Sequence, residues 1–521
     1  MEDGALGNGD SDVTPLFTAL RARQCCTLAA NGPDRLPLTT LFRHPAIQFA
    51  ILLLVALALR GDTFGDPNLH GDEVFYQTVG VAMHQGALPY VDVWDRKPFG
   101  LFALSWLIAG ISYDMLAYQI AATLFAAGTA WAITAISRGW AGVPGGLLAG
   151  GIYLLWLAPL QGFGGQSPVF YNLFIALAAL LVYRALPALR GGLTPAAVPL
   201  AMLLAGLGIT IKTSAVFEAA FLGLLAVWTL SRSEAGAART LRSAALWAAI
   251  GAAPSLVIAA SYGAIGHWAE YWHAMVTSNL DKPAHWPTSL ARLKFMGLLL
   301  SPVLLLAIAG LICQQKGNRH FVIGWLGAAF LGLASVPNFY LHYALPLLVP
   351  ACIAAAAFLS RGLPGLGATV AVAILSLSLT PPFDYQHARK SRAAINDLVR
   401  TIRAHIGNGP LLLYDAPPQL YMRTGQPFIT PLVFPTHLSH LIEKDVSHLS
   451  TLAETKRALA LKPGAVVMAQ PPRNRPVNKE TQQLVLAYVG NNCRLIKVVP
   501  TLERQRTDMI AVWGDCRRTP G

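Results

Sequence analysis

Between positions 70 and 97 the chain reads His70-Gly71-Asp72-Glu73 and then Tyr90-Val91-Asp92-Val93-Trp94-Asp95-Arg96-Lys97. One short stretch thus gathers the carboxylates Asp72, Glu73, Asp92 and Asp95, two cations, a histidine, and aromatics that include Tyr76 and Tyr90. A carboxylate pair suits a general base for a hydroxyl, an assistance worth roughly 10²–10⁴ in rate. A cation pair suits a departing phosphate. Each residue also has a plainer role. Asp72 is well placed as the N-cap of the helix that opens here, since a short carboxylate accepts free amide hydrogens of the first turn. Arg96 and Lys97 can snorkel to lipid phosphates. Gly86 and Pro89 are expected to end the helix.

The elements around this stretch are apolar. The 521 residues are 54% hydrophobic and 12% charged, against about 25% charged in soluble proteins, so too few charges exist to solvate a set of globular surfaces. Neither the 46 glycines nor the 35 prolines follow a G-x-y period, and six cysteines are too few for a disulfide scaffold. A bilayer crossing takes roughly 20 apolar residues. Blocks of that kind fall at 46–60, 114–136, 142–160, 168–186, 196–210, 213–230, 244–263, 295–313, 321–337, 340–359 and 366–380. The reading is a polytopic α-helical membrane protein with about eleven spans. Residues 99–112 form a further apolar stretch, interfacial or spanning.

Three parts follow: a polar N-terminal segment 1–44, a membrane part 45–380, and a C-terminal part 381–521. The last alternates short apolar runs at 410–415, 464–469, 493–499 and 508–514 with a helical pattern near 479–489, which reads as a small soluble α/β domain. With the N-terminus in the cytoplasm, Arg138, Arg184, Arg190, Arg232, Arg239, Arg242, Lys316, Arg319 and Arg361 fall in inner loops, as the positive-inside rule asks. Loops 61–98 and 264–294 and the C-terminal domain then lie outside. Nine of the thirteen net positive charges belong to residues 381–521. That excess suits an anionic membrane surface or an acidic acceptor, or serves solubility alone.

Taken in order, several motifs resemble the GT-C glycosyltransferases, above all the bacterial protein-O-mannosyltransferase-like enzymes and the aminoarabinose transferases of lipid A. They are the Asp72-Glu73 pair, Gly86-Ala87-Leu88-Pro89-Tyr90 and Asp95-Arg96-Lys97-Pro98. Then come the glycine-rich Ala205–Thr213 with Lys212, the loop His267–Leu280, Asn338–Pro346 with His342-Tyr343, and Leu413–Gly425. The resemblance implies a GT-C fold in an inner bacterial membrane, with the C-terminal domain periplasmic. It implies a sugar donor linked to polyprenyl phosphate and transfer to a hydroxyl of a lipid, glycan or protein. Asp72 becomes the catalytic base, Glu73 its supporting acid, and Lys97 with Arg96 the ligand of the donor phosphate. One departure stands out: where several members carry a further acid, this chain has Gly164-Gly165-Gln166-Ser167-Pro168. That places any two-carboxylate or metal-bridged scheme at this position in doubt, and a divalent cation stays an open alternative.

Other residues are candidates for substrate contact. Lys212 and Glu218 are charges beside or within apolar blocks, which marks them as functional candidates. Lys212 at the outer end can reach the donor phosphate or merely the interface. His70, Tyr76, Tyr90, Asp92, Asp95, Glu270, Asn279, Tyr340 and His342 are further candidates, with Tyr340 and His342 also readable as a satisfied interfacial pair. Trp268, Tyr271, Trp272 and Met275 recur at helical spacing and suggest an interfacial helix. His437 and His440 lack a third ligand and read as structural. Cys493 and Cys516 are expected to pair, as the two cysteines of the outer domain. Neither a nucleotide fingerprint nor a nucleic-acid partner is called for. The rivals are a transporter or lipid-linked sugar flippase, which needs a polar path through the bilayer, and a membrane anchor without activity.

Overall fold

The computed structural model describes residues 42–281, 286–314, 316–504 and 506–516, with the side chains of Lys316 and Gly317 left aside. The N-terminal acids and arginines before residue 42, Cys25 and Cys26 among their neighbours, lie outside the described residues. Described residues 42–47 comprise a turn and the start of the first helix, and from Gln48 onward the chain forms one unit.

In chain order the helices are α1 (Pro45–Arg60), α2 (Gly71–His84), α3 (Phe99–Ala109), α4 (Met115–Leu157), α5 (Ser167–Arg190), α6 (Ala197–Ile211), α7 (Val216–Ser231) and α8 (Ala237–Ala264). They continue with α9 (Trp268–Trp272), α10 (Trp286–Cys313), α11 (Lys316–Ala334), α12 (Leu345–Leu359), α13 (Gly362–Leu379) and α14 (Tyr385–His405). Each of the apolar blocks falls on a helix. Among the described residues, eight helices are long and apolar enough to cross a membrane. The difference from eleven has physical causes. α4 joins two blocks into 43 residues across a kink at Gly142, whose φ of 65° suits glycine. α6 has only 15 residues, and α11 opens with polar Lys316, Asn318, Arg319 and His320.

The helices pack through small residues, since lipid offers no hydrophobic drive and close approach must supply the attraction. α12 is buried along most of its length and holds Ala354, Ala355 and Ala356 fully enclosed. A side chain at Gly310 of α10 would lie 2.0 Å from the Ala354 carbonyl, so the two helices touch backbone to backbone there.

The C-terminal part holds β1 (Leu411–Tyr414), β2 (Ala465–Ala469), β3 (Arg494–Glu503) and β4 (Arg506–Gly514) in the order β1-β2-β4-β3. β1 and β2 are parallel, with Leu412 opposite Val466, and the other pairs are antiparallel. A helix at Lys479–Asn492 precedes β3. α14 buries Ala388, Ser391, Ile395, Leu398, Val399 and Ile402, one face at helical spacing, and packs on β3. Cys493 and Cys516 are joined in a disulfide, their Cα atoms 4.0 Å apart. Cys493 directly precedes β3 and Cys516 follows β4, so the antiparallel pairing brings them together.

Candidate active site

α2 begins two residues earlier than a cap at Asp72 would allow. His70 is the N-cap, extended at φ −153°, and its Nδ1 accepts from the Asp72 amide at 3.2 Å. A carboxylate used as the cap would be turned onto its own helix. Because a ring nitrogen takes that role, the Asp72 side chain stays available, part-exposed at 19%. The Gln166 side-chain amide also meets His70 Nδ1, at 2.8 Å. Two donors on Nδ1 leave the ring proton on Nε2.

Lys97 reaches this helix start from the end of the same loop. Its Nζ lies 3.8 Å from Asp72 Oδ1 and 3.2 Å from each oxygen of Asp95, which is buried. The Asp95 carboxylate also accepts from the Lys97 amide at 3.0 Å, which fixes both residues. The ammonium faces the rings of Phe434, Tyr76 and Phe75 at 4.9, 5.4 and 5.9 Å. Burial alone would raise the Asp72 carboxyl, but Lys97, then His70, His342 and Lys212, outweigh it and hold it down at about 2. Burial likewise opposes the Lys97 charge, yet Asp95 and Asp72 lift Lys97 above its ordinary value.

Glu73, one residue on, is wholly buried. Neither of its oxygens has a well-formed hydrogen bond among the described residues. The carboxylate lies against the Gly162–Gln166 turn so closely that a side chain at Gly164 would stand 2.0 Å from Oε2. Arg60, at the end of α1, holds that turn by donating to the carbonyls of Gly162 and Gly164 at 2.7 and 2.6 Å. Tyr118 donates to the Gly165 carbonyl at 2.6 Å. Burial pushes the Glu73 carboxyl up to about 7, against the pull of His70, the Gly165 amide and Arg60. The glycines and Gln166 therefore make room for Glu73 and bind His70 where an additional acid was looked for.

Two further elements bring groups to the same mouth. Lys212 caps the end of α6 and lies 4.7 Å from the Tyr343 ring. His342, just ahead of α12, is buried, stands edge-on to His70 at 6.4 Å, and stacks on Tyr340 at 6.0 Å with the planes within 5°. His342 therefore stands beside His70 and keeps its pairing with Tyr340.

No family model matches the sequence, and no curated protein matches it. The architecture is shared with ArnT from Cupriavidus metallidurans. Its structure bound to undecaprenyl phosphate aligns at a TM-score of 0.58 and 13% identity, over 91% of this chain and 98% of that one. The apo form aligns at 0.55 and 14%, over 91% and 97%. The chain thus shares a GT-C-like fold with that structure.

Not every residue singled out in the sequence sits at the centre of this GT-C arrangement. Arg96 turns away from Lys97 and pairs with Glu443 of the C-terminal domain, its guanidinium 5.9 Å from the Trp94 ring. Asp92 is exposed and accepts from the Leu88 amide at 2.8 Å, closing a turn. Tyr90, at φ 71°, donates to the Lys97 carbonyl at 2.9 Å and so positions Lys97 from behind. Glu270 lies 3.6 Å from His267, and Asn279 donates to the carbonyls of Ala274 and Met275 at 3.1 and 3.2 Å. These contacts keep both within their own loop. Of the aromatic stripe, Tyr271 packs against Tyr262 and Tyr90, while Trp268 and Trp272 stay half-exposed.

Sequence reading passed over Arg60 and gave no site role to Gln166 or His437. Arg60 looks like an ordinary charge at the end of an apolar block, and Gln166 like a missing acid. His437 is buried with Nε2 3.9 Å from Asp95 Oδ2. Only the fold joins it to a residue 342 positions earlier. Among the described residues no group of three or more His, Cys, Asp or Glu side chains is placed to hold a metal ion. Asp72 and Asp95, the carboxylates at the mouth, face an ammonium instead. These residues do not fit a divalent cation, and no step is routed through one.

Proposed function

We propose that this chain is a membrane glycosyltransferase that moves a sugar from a polyprenyl-phosphate donor to a hydroxyl acceptor at the outer face of the membrane. The carrying observation is Asp72: charged, part-exposed, 3.8 Å from the Lys97 ammonium, and within the field of Lys212. The undecaprenyl phosphate in the ArnT structure of the same fold supports the class of donor.

Asp72 takes the proton of the acceptor hydroxyl as its oxygen bonds to C1 of the sugar. The bond from C1 to the phosphate oxygen breaks on the opposite face, and polyprenyl phosphate leaves. Lys97 and Lys212 hold the departing charge. A carboxyl held near 2 is a poor base at rest. An arriving phosphate competes for the Lys97 ammonium, which weakens the contact that holds Asp72 low. Donor binding thereby makes Asp72 more basic in the complex that needs it. Glu73 beneath it, pushed up to about 7 by burial, is neutral far more often than an ordinary glutamate and to that extent spares the site a second negative charge.

The test uses purified full-length protein in lipid nanodiscs with polyprenyl-phosphate sugars. Asp72→Asn is expected to lower turnover by roughly 10²–10⁴ while the protein still folds. Lys97→Ala weakens donor binding, whereas Lys97→Arg keeps part of it, since charge is preserved and geometry is not. Near-normal turnover by the Asp72 variant would reduce that residue to a helix-end charge.

A further inference from the structure

The mechanism above makes no use of the excess positive charge of residues 381–521. Part of that charge lies on α14, whose buried face packs on β3. The opposite face exposes Tyr385, Arg389, Arg392, Asn396, Arg400 and Arg403, which recur at the spacing of one helical stripe. α14 lies across the ends of α1 and α4 that adjoin the loop of Asp72 and Lys97. A side chain at Gly61, just after α1, would come 3.6 Å from the Tyr385 hydroxyl. Arg392 donates to the Gly65 carbonyl from Nε at 3.1 Å and from Nη2 at 2.8 Å. Farther along, Arg403 donates to the Arg423 carbonyl at 2.6 Å, and Arg423 to the Asn396 side chain at 2.8 Å. These guanidinium groups thus donate to neutral oxygens. Asp114, the N-cap of α4, spends an oxygen on the Leu116 amide at 2.8 Å. Burial lowers the Arg423 pKa; Asp114 opposes this, while the like charges of Arg392 and Arg403 add to it.

We infer that Arg392, Arg403 and Arg423 hold the headgroup of an anionic phospholipid whose acyl chains lie along α4. The inference does not depend on the transferase reading. Three guanidinium groups gathered without matching carboxylates attract an anion, and their planar forks suit phosphate oxygens. The surroundings make that anion a lipid. Within a turn of Asp114 an apolar wall begins on α4, where Leu116, Ile120 and Leu124 recur every fourth residue and are exposed at 39, 42 and 45%. Ile111 and Tyr113 ahead of α4, and Phe383 and Tyr385 at the start of α14, are exposed as well. Aromatic side chains in such places mark the boundary between lipid and water. A soluble anion would leave the apolar wall uncovered. A phospholipid covers it with its chains while its phosphate meets the arginines, as basic residues at a membrane surface require.

The full-length chain in detergent is titrated with phosphatidylglycerol and with phosphatidylcholine of the same acyl chains, and bound lipid is counted by native mass spectrometry. The expected result is that the wild type prefers phosphatidylglycerol and that the preference fades with added salt. Arg392→Gln, Arg403→Gln and Arg423→Gln each lower affinity for phosphatidylglycerol roughly fivefold, the weight of one basic residue near an anionic lipid surface. Phosphatidylcholine binds as before. If Arg423→Gln does not fold, the variants of the exposed Arg392 and Arg403 decide the matter. Arg361→Gln, at the N-cap of α13 and so at the opposite end of the bundle, leaves the preference intact. A wild type that binds both lipids alike, glutamine variants that keep the preference, or an equal loss from Arg361→Gln overturns the site. Glycerol phosphate that displaces phosphatidylglycerol at equal concentration shows a site for soluble anions and overturns the lipid assignment.

Discussion

Asp72 and Glu73 are neighbours in sequence but not in protonation. Two adjacent carboxyls in a poorly hydrated place do not both ionise readily. Lys97 selects Asp72 as the charged one, and burial keeps Glu73 near 7, above its ordinary 4.5. The sign of the stability effect follows from that shift. The folded chain holds the Glu73 proton more tightly than the unfolded chain, so this group's contribution is fully present below pH 4.5. It declines as pH rises through about 7 and is level above. Glu73→Gln is expected to remove this slope and to raise the midpoint of thermal unfolding at pH 8 by roughly 2 °C or more. Scans from pH 5 to pH 8 of wild type and variant check it, and parallel slopes would count against a buried protonated Glu73. Gly164→Ala tests the same packing from the other side. Its new methyl would stand 2.0 Å from Glu73 Oε2, and overpacking of this kind costs about 1–3 kcal/mol. A variant as stable as wild type would show that the turn can move away.

At the level of elements, the C-terminal domain holds the loop that carries Asp72 and Lys97. Arg504 meets Asp62 at 2.7 Å, Ser391 donates to Asp66 at 2.5 Å, the Trp94 amide donates to the Pro431 carbonyl at 2.8 Å, and Arg96 pairs with Glu443. Both side chains of the last pair are shielded, so removing one strands the other. A double-mutant cycle of Arg96→Met and Glu443→Gln is expected to show coupling of ~1–3 kcal/mol in unfolding, with KM for the donor raised in either single variant. Additive losses would make the pair an incidental surface contact. These clamps explain what the sequence could and could not show. The strands at 411–414, 465–469, 494–503 and 506–514 fall where short apolar runs between turns suggested them, because period and length are local signals. Loop 61–98 displays its charges openly for the same reason. The partner of Arg96 lies 347 residues away, and nothing local marks Glu443 for it. The His70 cap escaped because an aspartate two residues later is the commoner cap. Gln166 escaped because only the folded turn shows which residue it serves.

For the whole molecule, the two ends of the helix bundle differ in charge, and contacts place each group at its end. Arg239 donates to the Gly192 carbonyl, Tyr183 to Asn318, and a side chain at Gly145 would meet Ser360. The loops with Arg138, Arg190, Arg232, Arg239, Arg319 and Arg361 therefore gather at one end. Arg60 on Gly162, His70 beside His342, and Asn172 on the Leu345 carbonyl mark the other end, where the C-terminal domain clamps the loop of Asp72. Basic loops stay on the cytoplasmic side. On that rule we propose an orientation with Asp72, Lys97 and the C-terminal domain outside. Topology reporters inserted within 232–242 and fused after Gly521 are then expected to give opposite answers. The cysteines supply an independent check. Cys493 and Cys516 are joined, whereas Cys313 and buried Cys352 are free. An outside compartment permits the bond, and a reducing cytoplasm does not. A bridge closing a loop of this size contributes about 3 kcal/mol by the chain-entropy estimate. Non-reducing peptide mapping of protein taken directly from membranes should recover Cys493 linked to Cys516, with Cys313 alkylated once the protein is unfolded. Both outer thiols free, together with like answers from the two reporters, would reverse the orientation and move the proposed chemistry to the opposite face.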